Sequence, residues 1–230
     1  MTARYIDRFQ AIAFDMNGTF MFDEDRFGPD QDYYGTYRTS GGTRLDREAV
    51  HSAVSATITG LGALYTEPGA EERFPSLREA IDRYAGDLGR DAVSIESVIA
   101  AHECGRIPEW SAEVLHALSK THRLAIVCNL WALPDHWENE FVRAGIEDVF
   151  QAHVFSSSIG SIKPSLVPFC RALDALQLPA EQMLFVGDSL ERDVRPAKSL
   201  GMGTVWITAN GSDGAADRCA ESILELPGLA

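Results

Sequence analysis

The spacing of hydrophobic and polar positions changes twice along the chain. Ala11-Ile-Ala-Phe14 is an unbroken apolar run closed by Asp15, and Asn17-Gly18 marks an abrupt stop just beyond it. A run this short between such signals is expected to be a strand buried on both faces, with Asp15 at its carboxyl end. After it, the polar and aromatic stretch from Asp23 to Gly42, with Arg26, Phe27, Tyr33, Tyr34, Tyr37 and Arg38, reads as a long loop that either folds over a ligand or packs against the next part of the chain. From Thr43 the period becomes helical. Thr43 with Asp46 resembles a capping box, and Val50, Val54, Ile58, Leu61 and Tyr65 predict a helix stopped by Pro68-Gly69. Leu77, Ile81, Tyr84 and Leu88 predict a second, and Ile95, Val98, Ile99 and His102 a third before Gly105. No strand pattern interrupts these helices, so they are expected to form a module inserted after the first strand.

From Pro108 onward helices and strands alternate. Glu113 to Lys120 and Pro134 to Ala144 are expected helices, the second stopped by Gly145, and Leu124–Cys128 and Ala152–Phe155 are expected strands. A helix from Lys163-Pro164 through Leu176, a strand at Met183–Val186, a short helix between Pro196 and Gly201 and a strand at Thr204–Ile207 complete the series. Strands separated by single helices predict an α/β fold with a parallel, doubly wound sheet and right-handed crossovers. The expected division is a core of residues 1–21 and 107–230 and a helical domain of residues 22–106. Both junctions contain glycine and polar residues able to absorb a hinge motion.

Composition narrows the partners. The 230 residues carry 20 Lys+Arg against 34 Asp+Glu, a formal net charge of −14, and no basic run long enough to track a phosphate backbone, so nucleic acid is not expected. A small anion remains admissible where a metal ion and one or two placed cations dominate the local field. Cys104, Cys128, Cys170 and Cys219 are far apart in sequence and fit reduced thiols in a cytoplasmic protein. His102-Glu103-Cys104 is read as a helix surface rather than a metal cluster. Charges scattered through Met1–Arg8 do not suit a signal peptide, and no run approaches the roughly 18 apolar residues of a membrane span.

The chemistry gathers at strand ends: Asp15 with Asn17, Cys128 with Asn129, Lys163 beyond the third strand, and Asp188 with Asp193 beyond the fourth. In a parallel sheet those ends share one edge, where ligands bind. Any one of these residues also serves in an ordinary turn; their coincidence is what points to a site.

In Asp15-Met-Asn-Gly-Thr19, Cys128-Asn129, Lys163-Pro164 and Gly187-Asp-Ser-Leu-Glu-Arg-Asp193 the sequence resembles the haloacid dehalogenase superfamily, over nearly its whole length. The resemblance implies a Rossmann-like core with an inserted all-α cap, and a hydrolase of phosphatase type acting on a small phosphorylated molecule. It implies that Asp15 is a nucleophile forming an aspartyl-phosphate, and that Mg²⁺ is held by Asp15, the backbone carbonyl of Asn17, Asp188 and Asp193. Gly18, Thr19, Cys128, Asn129 and Lys163 would bind the phosphoryl group. Two positions depart from the pattern. Asn17 stands where the family's phosphatases have the Asp that protonates the leaving oxygen and then activates water, and an amide does neither at neutral pH. Cys128 stands where they have a hydroxyl, and a thiol is a weaker donor. A specialised phosphohydrolase is the leading expectation; a noncatalytic phosphate-binding or regulatory protein, and a dehalogenase, are the alternatives. Asp188 and Asp193 count against the last.

Overall fold

The computed structural model describes residues 4–209, 211 and 214–229; the first three residues of the charged amino-terminal segment lie outside them. The strands β1 (Ala11–Phe14), β2 (Arg123–Cys128), β3 (Ala152–Phe155), β4 (Met183–Gly187), β5 (Gly203–Ile207) and β6 (Arg218–Ala220) form one sheet in the order β3-β2-β1-β4-β5-β6. Every pairing is parallel. The chain steps outward from β1 to β3 and then returns to the other flank of β1 with β4, so the order reverses between β1 and β4. A crevice opens at that reversal, outside the carboxyl ends of the strands.

Alternation within β1 sorts the two faces. Ile12 and Phe14 pack with Leu115 and Leu118 of α5 (Glu109–Ser119) and with Trp137 and Phe141 of α6 (Asp135–Ala144). Ala11 and Ala13 face the opposite layer, where Phe169, Ala172 and Leu176 of α8 (Val167–Leu176) and Ala197 of α9 (Arg195–Ser199) pack; α7 (Ser156–Ile159) leads into that layer from β3. Alanines on that face let the helices approach closely, while both layers exclude water from the sheet.

Between β1 and α5 the chain forms α1 (Tyr33–Thr39), α2 (Arg47–Tyr65), α3 (Leu77–Tyr84) and α4 (Asp91–Glu103), as the helical period predicted apart from α1. The segment read as a loop contains α1 because Asp32 caps it, its side chain accepting from Gly35 N at 3.1 Å. Tyr33 and Tyr37 are buried within this helical layer and do not line the cleft at the carboxyl edge of the sheet. The Tyr37 hydroxyl donates to Asp91 and accepts from Arg44 N and Leu45 N, both at 3.0 Å. The anticipated box at Thr43 does not form: Asp46 itself is the cap of α2, accepting from Ala49 N at 2.8 Å. A reciprocal box occurs instead at Ser76 and Glu79, at the start of α3. The chain enters and leaves this layer side by side, Phe22 and Arg106 exchanging backbone hydrogen bonds of 2.9 and 2.7 Å. The edge strand β6 was not anticipated, and three residues are too few to show a period. Among the described residues no helix is long and apolar enough to cross a membrane.

Candidate active site

Asp15 continues the pairing of β1 with β4, donating its backbone N–H to Val186 O at 2.9 Å, so its side chain is fixed at the carboxyl edge beside the reversal point. Lys163 Nζ lies 2.6 Å from Asp15 Oδ1 and 2.6 Å from Asp193 Oδ1, and all three residues are buried. The loop carrying Lys163 is held by Asn129, whose Oδ1 accepts from Lys163 N at 2.8 Å and whose Nδ2 donates to Lys163 O at 3.1 Å. Asn129 also donates to the Tyr65 hydroxyl at 3.0 Å. Its amide therefore positions the lysine loop and a side chain of α2.

Two glycines are required by close approach. Gly18 has φ +70°, and a Cβ there would lie 2.5 Å from Asp188 Oδ2; a Cβ on Gly187 would lie 2.5 Å from Asp193 Oδ2. Asp193 sits in a single π-helical turn, Leu190–Val194, and its Oδ2 also accepts from Ser189 N at 2.9 Å.

Asp15, Asp188 and Asp193 each offer a carboxylate oxygen within 4.8 Å of the others. Hard oxygen donors in this number and spacing fit Mg²⁺, which binds through few carboxylates and keeps several waters. The electrostatics agree. Burial first, and then the neighbouring carboxylate of Asp15, push Asp193 up to about 6 against the pull of Lys163. Desolvation in the cleft followed by Asp15 and Asp193 pushes Asp188 up to about 7, a shift tempered by the solvent contact that Asp188 keeps. A cation among them would relieve that crowding. For Lys163, burial favours the neutral amine, but the charges of Asp15 and Asp193 outweigh it and raise its pKa, so it remains an ammonium.

The predicted residues Asp15, Asn17, Cys128, Asn129, Lys163, Asp188 and Asp193 line one cleft of about 290 Å³. Asn17 Oδ1 and the Thr19 hydroxyl are buried without a hydrogen-bond partner. Cys128 is a buried thiol whose pKa burial raises, so it stays neutral. A larger open depression of about 1010 Å³ runs along α2 from Arg47 to Gly60, bounded by Tyr84 of α3, and contains none of these residues.

The cleft has further walls that the sequence did not flag: Glu24, Asp25, Tyr65, Glu103, Trp131 and Arg192. Glu103 corrects the helix-surface reading of His102-Glu103-Cys104, since all three are buried. Glu103 accepts from Trp131 N at 2.6 Å and Ala132 N at 2.9 Å, and burial pushes its pKa up to about 8 against those two donors. His102 is satisfied within the helical layer, by Arg26 O at 3.2 Å and the Thr36 hydroxyl at 3.3 Å. Arg192 donates to Lys163 O at 2.8 Å and Tyr65 O at 2.6 Å, with its guanidinium carbon 3.6 Å from the centroid of the Tyr65 ring. Its position between Asp188 and Asp193 was the one signal that could have marked it. Tyr65 and Glu103 end helices that carry no local motif.

A parallel α/β sheet with a lysine-bridged aspartate set at its reversal point defines a hydrolase-type site, and the comparisons specify the family. The family model for haloacid dehalogenase-like hydrolase matches residues 92–207, just over half of the chain, and the protein belongs to that family. The matched span holds Lys163, Asp188 and Asp193; Asp15 lies outside it and is brought to them by the sheet. A phosphoserine phosphatase of Thermus thermophilus is 30% identical over 166 residues, 68% of this chain and 64% of that protein. A glyceraldehyde 3-phosphate phosphatase of Methanopyrus kandleri is 27% identical over 184 residues, 72% of this chain and 77% of the relative. Among solved structures, a phosphatase of this superfamily from Thermococcus onnurineus superposes with a TM-score of 0.65 at 21% identity, covering 95% of this chain and 96% of its own. A 2-haloacid dehalogenase from Pseudomonas syringae superposes with 0.62 at 21% identity, covering 96% and 97%. At those identities the superpositions establish the fold alone.

Proposed function

We propose that the protein is a Mg²⁺-dependent phosphohydrolase for a small phosphorylated metabolite, working through an aspartyl-phosphate at Asp15. The observation that carries this reading is the bridge Asp15–Lys163–Asp193 beside Asp188, with 2.6 Å contacts on both sides of the ammonium. Lys163 orients the Asp15 carboxylate and offsets the charge of an incoming phosphate. Mg²⁺ held by Asp15, Asp188, Asp193 and the backbone carbonyl of Asn17 would supply the remaining positive charge that lets an anionic nucleophile approach an anionic group. Cys128 lines the phosphoryl pocket and Asn129 fixes its lysine, whereas Gly18 and Thr19, also expected to bind the phosphoryl group, do not line the cleft; Gly18 gives Asp188 room and Thr19 is fully buried. Residues 22–106 act as a cap that hinges at the paired Phe22 and Arg106 and closes through Tyr65 onto Asn129 and Arg192. The phosphatase names of the two relatives support the substrate class.

Asn17 shapes the reactivity. Without the motif's second carboxylate, alkyl esters turn over slowly unless another group in the cleft handles the proton, and acyl or aryl phosphates, whose leaving groups need little protonation, react more readily. The three acidic side chains argue against metal-free dehalogenation. A panel of phosphate esters and 2-haloacids, each with and without Mg²⁺, tests the reading. The expected result is Mg²⁺-dependent phosphate release, abolished in Asp15→Asn, with calorimetric Mg²⁺ binding lost in Asp188→Ala. Halide release that ignores Mg²⁺, or no reaction with any ester, would overturn it.

A further inference from the structure

With Asn17 unable to carry a proton, the cleft needs another group at the leaving-group side, and its remaining ionisable walls can be sorted by what already engages them. Lys163 is held between two carboxylates, and Arg192 is spent on two backbone carbonyls. Both carboxyl oxygens of Glu103 accept backbone N–H groups. Tyr65 is a phenol whose pKa burial raises further, too weak an acid and unable to serve as a base near neutrality. Asp25 is exposed to solvent, where water can satisfy its carboxylate. Glu24 differs from all of these. It lines the same cleft as Asp15 and Asn17, and its Oε2 is buried with no hydrogen-bond partner. A buried carboxyl oxygen left unpaired is costly, and in a reaction cleft it points to a partner that arrives with the substrate.

The local backbone holds that side chain in place. Asp23 and Asp25, on either side of Glu24, adopt φ +58° and +52°, a region that non-glycine residues enter at a cost and that is concentrated at functional sites. The segment is pinned to the end of α4: Arg26 donates to Asp23 O, to Ala101 O at 2.7 Å and to Cys104 O at 2.8 Å, and Asp25 N donates to Glu103 O at 3.2 Å. Gly105 leaves room for the approach, since a Cβ there would meet Glu24 Cβ at 3.3 Å and Phe22 O at 2.5 Å. Glu24 thus sits where the chain leaves the sheet for the helical layer, the side from which the esterified part of a substrate must extend.

We propose that Glu24 is the general acid and base of this site, in the place of the carboxylate that Asn17 lacks. That role rests on the phosphohydrolase reading of the site. In the first half-reaction an Asp15 oxygen forms a bond to phosphorus while the bond from phosphorus to the ester oxygen breaks; that oxygen takes the electron pair and the proton of the Glu24 carboxyl, and the alcohol leaves. In the second, water gives its proton to the Glu24 carboxylate and its oxygen bonds to phosphorus, while the bond to Asp15 breaks and returns its electrons to the Asp15 carboxylate. Burial, the largest influence on Glu24, raises its pKa and favours the protonated form that the first half-reaction needs.

The test is quenched-flow phosphorylation and dephosphorylation of wild type, Glu24→Gln and the double variant Asn17→Asp with Glu24→Gln, using p-nitrophenyl phosphate and glycerol phosphate with Mg²⁺. Removing an acid that serves the leaving group should slow phosphorylation by glycerol phosphate about 10²-fold or more, leave phosphorylation by p-nitrophenyl phosphate within about threefold, and slow dephosphorylation enough for the phosphoenzyme to accumulate. Asn17→Asp should restore both steps in the double variant, and Mg²⁺ affinity should not change in Glu24→Gln. Equal losses with both esters, weakened Mg²⁺ binding, or unaltered rates would overturn the role of Glu24 while leaving the phosphohydrolase reading intact. Absence of any phosphoenzyme in the wild type would overturn that reading, and the role of Glu24 with it.

Discussion

Replacing Lys163 by Met keeps the length and apolar stem of the side chain but removes the one charge lying between Asp15 and Asp193. Its ammonium makes two contacts of 2.6 Å in a place where Lys163 and Asp193 are almost wholly shielded from water. Removing one member of a buried ionic set costs about 3–5 kcal/mol, because the partners are left uncompensated. With a urea dependence of about 2–3 kcal/mol per molar for a chain of this size, the unfolding midpoint of the metal-free protein should fall by roughly 1–2.5 M. The four tryptophans of the sequence offer a fluorescence signal for the titration. Mg²⁺ should narrow the gap between variant and wild type, since a cation among Asp15, Asp188 and Asp193 replaces part of the lost charge. Midpoints that coincide in EDTA, or a gap that Mg²⁺ widens, would refute the claim that this lysine neutralises the aspartate set.

Arg192→Ala removes two hydrogen bonds and the stacking on Tyr65, so the backbone amides around Tyr65 should exchange hydrogen about tenfold faster or more, whereas unchanged exchange would mean that Arg192 does not hold the end of α2 against the lysine loop. Tyr37→Phe leaves Asp91 and the Arg44 and Leu45 amides short of a partner and should cost about 1–3 kcal/mol in thermal unfolding; a neutral substitution would show that water replaces the hydroxyl. Glu103, pushed from 4.5 up to about 8 by burial, binds its proton more tightly folded than unfolded. Its contribution is therefore full below about pH 4.5 and is lost as pH rises toward 8, and Glu103→Gln should flatten that slope in midpoints measured across the range.

Legibility tracked the strength of the local signal. The five longer strands each end their apolar run in a turn or polar residue, and parallel topology alone then gathers Asp15, Lys163, Asp188 and Asp193 at one edge. Helix α1 was hidden because the Asp32 cap is succeeded by tyrosines and threonines, which give no clear amphipathic period and look like a binding loop. Glu24, Tyr65 and Glu103 were hidden for another reason. Each reaches the cleft through tertiary packing of the helical layer on the sheet, and nothing in the neighbouring sequence marks the direction in which it faces. Asn17 and Cys128 were visible as departures from the motif, whereas Glu24, the residue proposed to take over the proton chemistry that Asn17 lacks, carries no such mark.

Whether Asp15 takes up a phosphoryl group decides the mechanism. Freshly prepared protein, with Asn at position 17 verified by peptide mapping because Asn17-Gly18 is prone to deamidation, should be mixed with an acyl phosphate and Mg²⁺, quenched in acid and weighed intact. The predicted result is a single phosphoryl adduct within the first turnover, mapped to the peptide containing Asp15, and absent in Asp15→Asn and in EDTA. An adduct that persists in Asp15→Asn, or phosphate released at full rate with no adduct at any quench time, would contradict the assignment of Asp15 as the nucleophile.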